Sequence, residues 1–496
     1  MANRKWLIVA VVVVLGVVGA VVFVVTNKKS TTSITAKDAK AILDNSKNNS
    51  SSSSPGTVGP HKGSSKTSTS GSSKSSSGSK SSGNSTKTDN STDLVDPTTD
   101  KFTLSAFAIG DWGATVYKDS CCVRRGDYTA VDRHAEEAVG KLMGIVADAA
   151  DVKPKVVMGH GDNFYWLGIM SPTDMTYRFE NTFESKYDAK SLKDIPWVNV
   201  MGNHDYGGAS YVCSNSDGPV ECSSTDELIT ALKNKFKWQS EYKSPNNNRW
   251  IMKDHFYTYS IQDEASGVSI DIFNLDTNDA DTHGASQICC QCYGYSNGKK
   301  GVCEEVTRGN KYCAGGDNSM YDTCMKQLQD WADDSKAQLV KEVKASKATW
   351  KIVNTHYSPY NHYAPHHADS WKETLDGLGV QLWINGHTHG EKHDYGKFGM
   401  HFIENGAGGG IQNESPSGIP PYAESYIEKV WTAGNYPYGF FDLTASKNWL
   451  KVRFLTMDDK WKIEEDKFDE ATIGGAAVKH CWYIPKDGTK GQSCDD

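Results

Sequence analysis

The sequence predicts an α/β domain over residues 101–496, preceded by about a hundred residues that belong to no core. Three observations carry this. Short apolar runs that read as buried strands alternate with helix-like patterns from Phe102 onward. Five of those runs end directly in loops rich in Asp, Asn, His and Gly, and loops at the carboxyl ends of strands are where α/β sites assemble. The first hundred residues are dominated by a single apolar stretch and a Ser/Thr/Lys/Gly-rich tract, whereas the roughly 395 that follow can bury a large core.

In chain order, Arg4 and Lys5 precede an unbroken apolar run, Trp6–Val25, of about twenty residues, enough to span a bilayer. Positive charge stays on the cytoplasmic side, so residues 1–5 are expected as a cytoplasmic tail and 6–26 as a signal-anchor. The rest of the chain would then face the lumen or the exterior. Cleavage after Val18-Gly19-Ala20, giving a secreted protein, is the alternative. Residues 27–100, with Ser50–Ser54 and the Ser-rich Ser64–Ser85 segment, hold too little apolar surface to offset chain entropy and read as a disordered stalk. Residues 1–100 carry 12 Lys+Arg against 6 Asp+Glu; the whole chain is −8, which leaves the body at −14. An acidic body argues against a nucleic-acid partner.

Within the body, strands are expected at Phe102–Ile109, Val156–Met158, Ile195–Met201, Trp350–Val353 and Val380–Ile384. Helices are expected near Thr129–Ala150, Thr225–Lys235 and Tyr321–Lys347. All twelve cysteines follow residue 120, which fits disulfides in an oxidising compartment. Six lie within Cys289–Cys324, in what reads as a Cys-rich insertion over about 279–325; a zinc knuckle at Cys289-Cys290-Gln291-Cys292 is the competing reading. Sequons at Asn48, Asn49, Asn84, Asn90 and Asn413 point to a glycoprotein.

The five loops are Asp111-Trp112-Gly113, Gly161-Asp162-Asn163-Phe164-Tyr165, Gly202-Asn203-His204-Asp205, Val353-Asn354-Thr355-His356 and Gly386-His387-Thr388-His389. Each alone is ordinary turn chemistry. Together they offer carboxylate, amide, phenol and imidazole ligands. His387 and His389, one residue apart on extended backbone, point the same way and can each reach a different ion of one cluster.

This order of motifs resembles the purple acid phosphatase family, closest to its small tartrate-resistant acid phosphatase type within the calcineurin-like metallophosphoesterases. The resemblance runs from Phe102 to the chain end, through Asn405-Gly406-Ala407-Gly408-Gly409 and a closing strand pair near Tyr438–Leu443 and Trp449–Leu455. It implies a four-layer α/β/β/α sandwich and a two-metal site. Asp162 would bridge the ions; Asp111, Tyr165 and His389 would complete the first site, and Asn203, His356 and His387 the second. A phenol ligates only after a strongly Lewis-acidic cation takes its proton, so Tyr165 favours Fe(III) at the first site. The second suits Fe(II), Zn or Mn equally.

The resemblance further implies His204 as a catalytic histidine facing the phosphate, with Asp205 expected to hydrogen-bond it and raise its pKa. His366 is the candidate for a second such histidine, in competition with His362 and His367. The implied activity is hydrolysis of phosphate monoesters by a metal-bound hydroxide, with an acid optimum. Phosphorylated small molecules or phosphoproteins would be the substrates, the membrane a partner through the N-terminal helix, and a monomer the default state. A phosphodiesterase or nucleotide hydrolase with the same centre is the alternative, and a surface interaction protein the more distant one. The glycines of Asn405–Gly410 read as permitting tight backbone beside the site rather than as a phosphate cradle.

Overall fold

The computed structural model describes residues 94–114, 129–208, 211–216, 218–279, 282–292, 303, 306–464 and 467–494. The expected anchor over 6–26 and all of the stalk before residue 94 lie outside them. Residues 94–100, assigned to the stalk, instead dock on the domain: Trp449 Nε1 donates to the Val95 carbonyl (2.6 Å) and Ser446 Oγ to Asp100 Oδ2 (2.6 Å). Among the described residues no helix is long and apolar enough to cross a membrane.

In chain order the strands are β1 (Leu104–Ile109), β2 (Pro154–Gly159), β3 (Trp197–Asn199), β4 (Cys213–Asn215), β5 (Gly218–Val220), β6 (Trp250–Ile251), β7 (Phe256–Asp263), β8 (Val268–Leu275), β9 (Trp350–Thr355), β10 (Leu382–Asn385), β11 (Glu391–Gly396), β12 (Met400–Asn405), β13 (Ile427–Thr432), β14 (Gly439–Ala445), β15 (Trp449–Met457), β16 (Ala476–Pro485) and β17 (Gln492–Ser493). One sheet runs β17-β16-β15-β14-β1-β2-β3-β6 and a second β13-β11-β12-β10-β9-β8-β7. The centre of each is parallel: β1 with β2, pairing Phe107 with Val157, and β9 with β10, pairing Ile352 with Leu382.

The two sheets face each other, and the alternation of each strand shows why. Leu104, Ala106 and Ala108 of β1 share one apolar cluster with Ile272, Ile352, Ile384 and Ile403 of the second sheet. The intervening Phe107 and Ile109 pack outward on Val139, Leu142 and Met143 of the Ala135–Ala149 helix. On the other side Phe273, Val353 and Trp383 meet Leu339 and Val343 of the Asn318–Ala345 helix and Trp371 of the Pro365–Leu375 helix. Strands buried on both faces need apolar residues at every position, which is why the central ones were legible as continuous runs.

The helix expected over Thr129–Ala150 is two, Ala130–Arg133 and Ala135–Ala149, broken at His134; the first is started by a reciprocal Thr129–Asp132 capping box. The second expected helix runs further, to Glu241, and the third starts earlier, where Asp317 caps Ser319 and Met320. Strands β11 and β16 were not expected. Glu391, Lys392, His393 and Asp394 of β11 are all buried and polar, so no hydrophobic period marked them. Ten cysteines form five disulfides: Cys213–Cys222, Cys289–Cys324, Cys290–Cys313, Cys292–Cys303 and Cys481–Cys494. Cys289, Cys290 and Cys292 are therefore disulfide sulfurs, not a zinc knuckle. Cys121 and Cys122 lie outside the described residues.

Candidate metal centre

All five loops converge at the carboxyl ends of β1, β2, β3, β9 and β10. The first two loops are anchored from below by an aromatic neighbour. Trp112 and Phe164 turn into the core, where their rings meet at 6.2 Å and Trp112 lies on Trp197 at 5.7 Å. Asp111, Asp162 and His387 are left to the site in the left-handed region, at φ of 53°, 51° and 72°. Non-glycine residues there carry strain that surrounding structure must overcome, and such positions gather at functional sites. Two motif glycines are explained by proximity. A Cβ on Gly202 would stand 2.2 Å from Asp162 Oδ1, and one on Gly386 2.2 Å from Asp111 Oδ2. Each glycine is the space that the carboxylate of another loop fills.

The seven expected ligands form two adjoining groups. In the first, Tyr165 Oη lies 3.0 Å from both Asp111 Oδ1 and His389 Nε2, which are 3.2 Å apart. Asp111, Asp162 and His389 offer atoms all within 4.8 Å of one another, and all three are buried. In the second, Asn203 Oδ1 lies 3.0 Å from His356 Nε2 and 3.1 Å from His387 Nδ1. Asp162 joins the groups: its Oδ1 stands 3.6 Å from His356 Nε2 and accepts the His204 backbone N–H, while the buried Oδ2 has no hydrogen-bond partner.

The donor chemistry fits cations. His356 Nδ1 donates to the His160 carbonyl (2.8 Å), so in the neutral imidazole Nε2 presents a lone pair. That lone pair faces an amide oxygen and a carboxylate, acceptors all, on side chains that are themselves buried. Buried acceptors turned on each other are costly unless a positive charge lies between them. Tyr165 instead donates its hydroxyl to Asp111 Oδ1, and burial first, then the Asp111 and Asp162 charges, push its phenol well above its usual range.

His204 is partly exposed at the rim. Its Nδ1 donates to the Trp166 carbonyl (3.0 Å), and its ring sits between Tyr165 (4.7 Å) and Trp166 (5.1 Å). The expected Asp205–His204 pairing is corrected. Asp205 is fully buried on the opposite side and accepts from the Gly202 and Asn163 backbones and from Gln239 Nε2 (3.0 Å), so it clamps the two loops rather than the imidazole. Burial, then the Asp162 charge, raise its pKa to about 7.

The second histidine is also placed differently. His366 is exposed in the first turn of the Pro365–Leu375 helix, 5.8 Å from the His367 ring. His362 is the one that packs on His387 (4.7 Å), its Nδ1 accepting from Ser358 N and its Nε2 contacting Thr388 Oγ1 (3.0 Å). A loop of its own length sets which of three nearby histidines turns inward, and spacing could not settle that.

Sequence reading also missed a supporting layer. His160 contacts Asn354 Oδ1 (2.5 Å) and Asn405 Nδ2 (3.0 Å), and Glu414 Oε1 accepts the His389 backbone N–H (3.2 Å). Burial holds His160 neutral, near pKa 3. The signal available was only its place immediately before the second motif. The Gly-rich segment is tight backbone as expected: Gly408 N and Gly410 N donate to the Gly110 and Asp111 carbonyls (3.0 and 2.8 Å). The Asn413 sequon is a correction, since that amide is buried and donates to the Pro437 carbonyl (2.6 Å); the other four lie outside the described residues.

The family model described as calcineurin-like phosphoesterase matches residues 106–391. Purple acid phosphatase 17 of Arabidopsis thaliana is 26% identical over 322 residues, 63% of this chain and 71% of that protein. Tartrate-resistant acid phosphatase type 5 of Oryctolagus cuniculus is 22% identical over 362 residues, 72% of this chain and 89% of that protein. The solved structure of GAP50, the anchor in the inner membrane complex of Plasmodium, is similar at a TM-score of 0.44 and 17% identity, covering 72% of this chain and 85% of that one.

Proposed function

This chain belongs to the calcineurin-like phosphoesterase family, and we propose that it hydrolyses phosphate monoesters at a two-metal centre held by Asp111, Asp162, Tyr165, Asn203, His356, His387 and His389. The observation that carries the reading is the acceptor-only contact of His356 Nε2 with Asn203 Oδ1, beside the unpartnered Asp162 Oδ2. Asp162, between the two groups, would contribute to both. Tyr165 ligates only a cation acidic enough to take a proton that burial and two carboxylates hold tightly, which favours Fe(III) there. The amide and imidazoles opposite suit Fe(II), Zn or Mn. When bound, such a pair would supply Lewis-acid neutralisation of phosphoryl oxygens and a water of lowered pKa.

The remaining work falls to the chain. With Nδ1 spent on Trp166, the far edge of the His204 ring is presented to the phosphoryl group, where in acid it donates to a phosphoryl oxygen or protonates the departing alkoxide. His362 braces the His387–His389 loop from beside it. Proton donation by His204 favours an acid optimum, and the substrates would be phosphorylated small molecules or phosphoproteins. The disulfides support an oxidising compartment, in keeping with a body displayed on the outer membrane face or in the lumen by the 6–26 anchor and the stalk.

The test is metal content, visible spectrum, and rates on p-nitrophenyl phosphate and its bis-ester from acid to neutral pH. Two ions per chain, with monoester turnover dominant and maximal below neutral, is the expected result. A faster diester rate would transfer the reading to a phosphodiesterase, and a protein that takes up no metal would end it.

A further inference from the structure

We infer that Tyr357 is a positioning residue for Asn203, and that the Cys-rich insertion is the brace that holds Tyr357 in place. The inference rests on the two-metal reading and assigns a task to the segment that reading leaves unused.

Tyr357 is fully buried and touches all three ligands particular to the second group. Its hydroxyl donates to Asn203 Oδ1 (3.2 Å), and its ring lies 4.4 Å from His387 and 4.9 Å from His356. An amide oxygen has two lone pairs, so Asn203 can accept the Tyr357 proton with one and face a cation with the other. The hydroxyl thereby fixes the rotation of the carboxamide. Without it, that amide is free to turn its NH₂ toward the imidazoles and remove a ligand oxygen.

Against this pair lies the start of the His283–Cys290 helix, capped by Thr282. A Cβ on Gly284 would stand 2.0 Å from the Tyr357 hydroxyl oxygen and 3.0 Å from Asn203 Cβ. The helix backbone is therefore the wall on which both side chains rest. Ala285, Ile288 and Cys289 of the helix are buried in the main apolar cluster. Two disulfides at its far end, Cys289–Cys324 and Cys290–Cys313, tie it to the Asn318–Ala345 helix and to the segment before that helix. A covalent staple, a short helix, one glycine and one phenol thus lead from the insertion to a ligand oxygen.

The experiment uses the full chain, stripped of its exchangeable ions and titrated with Zn²⁺, with the tightly held ion counted by elemental analysis and the melting temperature as the folding control. Tyr357→Phe is expected to weaken the exchangeable site about 10-fold, the scale for losing a partner of a metal ligand, and to leave the tight ion and the fold in place. Gly284→Ala is expected to weaken the same site more, because its methyl group collides with the hydroxyl. In Gly284→Ala/Tyr357→Phe the oxygen that collides is gone, so the double variant should bind Zn²⁺ better than Gly284→Ala alone. A purely structural glycine would give no such recovery. Unchanged Zn²⁺ affinity in Tyr357→Phe, equal loss of both ions, or additive effects in the double variant would overturn the inference. A wild-type chain with fewer than two sites would instead overturn the two-metal reading beneath it.

Discussion

The carbonyl oxygen of His160 accepts a 2.8 Å hydrogen bond from Nδ1 of His356. The residue just before the second motif thus selects the tautomer of an imidazole in the fourth, nearly two hundred positions away in the chain. In the neutral imidazole Nε2 then carries the lone pair, turned toward the other candidate ligands.

On the proposed two-metal reading, Asp162 would screen the two ions from each other. Asp162→Asn is expected to empty at least the second site and abolish hydrolysis, while Asn203→Ala and Asp111→Ala weaken mainly one ion each. Metal stoichiometry of the three variants, measured side by side, checks this. An Asp162→Asn protein with two ions and near-normal turnover would sink the two-metal reading.

If Tyr165 binds Fe(III) as a phenolate, the purified protein is coloured. Tyr165→Phe should bleach or strongly shift the visible band and leave the melting temperature little changed. A colourless wild-type protein with stoichiometric iron would contradict the assignment.

His204→Ala is expected to lower kcat about 10²-fold, the usual scale for a general acid, with both ions retained. The alkaline limb of the pH–rate profile should flatten in the same variant. Metal loss in step with the rate would make His204 a ligand instead.

A separate pH dependence is built between the sheets. His480 Nε2 of β16 contacts His393 Nδ1 of β11 (2.9 Å), and His393 Nε2 contacts His401 Nδ1 of β12 (2.8 Å). Burial depresses all three, His480 to about 4, His401 to about 3, and His393 well below the usual 6.5; neighbouring imidazoles and Lys490 add to the effect on His393. Below 6.5 the unfolded chain therefore binds protons that the folded chain refuses. Stability is expected to fall as pH drops from about 6.5 toward 4, by up to about 1.4 kcal/mol per pH unit for each histidine. Thermal melts of metal-free protein across that range, compared with His480→Phe, check the slope. Equal slopes in both proteins would remove His480 from the account.

The residues of the candidate site were legible in the sequence because each ligand follows a strand whose apolar run is local, and strand end, turn and ligand are consecutive. The motif order, through the resemblance it carries, pointed to Asp111, Asp162, Tyr165, Asn203, His356, His387 and His389, and the fold brings these side chains together. The central strands were legible for the same reason: burial on both faces leaves a continuous apolar signature. Strand β11 was not, because Glu391, Lys392, His393 and Asp394 are buried against polar partners on other segments: Ala407 N, Glu404, His480 and Tyr360.

What tertiary structure alone decided has one physical cause: the deciding atom is far away in sequence. Asp205 turns from His204 to Gln239 because a helix more than thirty residues on supplies a buried amide. His362 rather than His366 faces the site because the loop after β9 folds back onto Thr388 before its helix begins. The pairing of ten cysteines and the seat of Gly284 against Tyr357 follow from how the insertion packs. Composition can require that a buried polar group find a partner; only the folded chain determines which partner it finds.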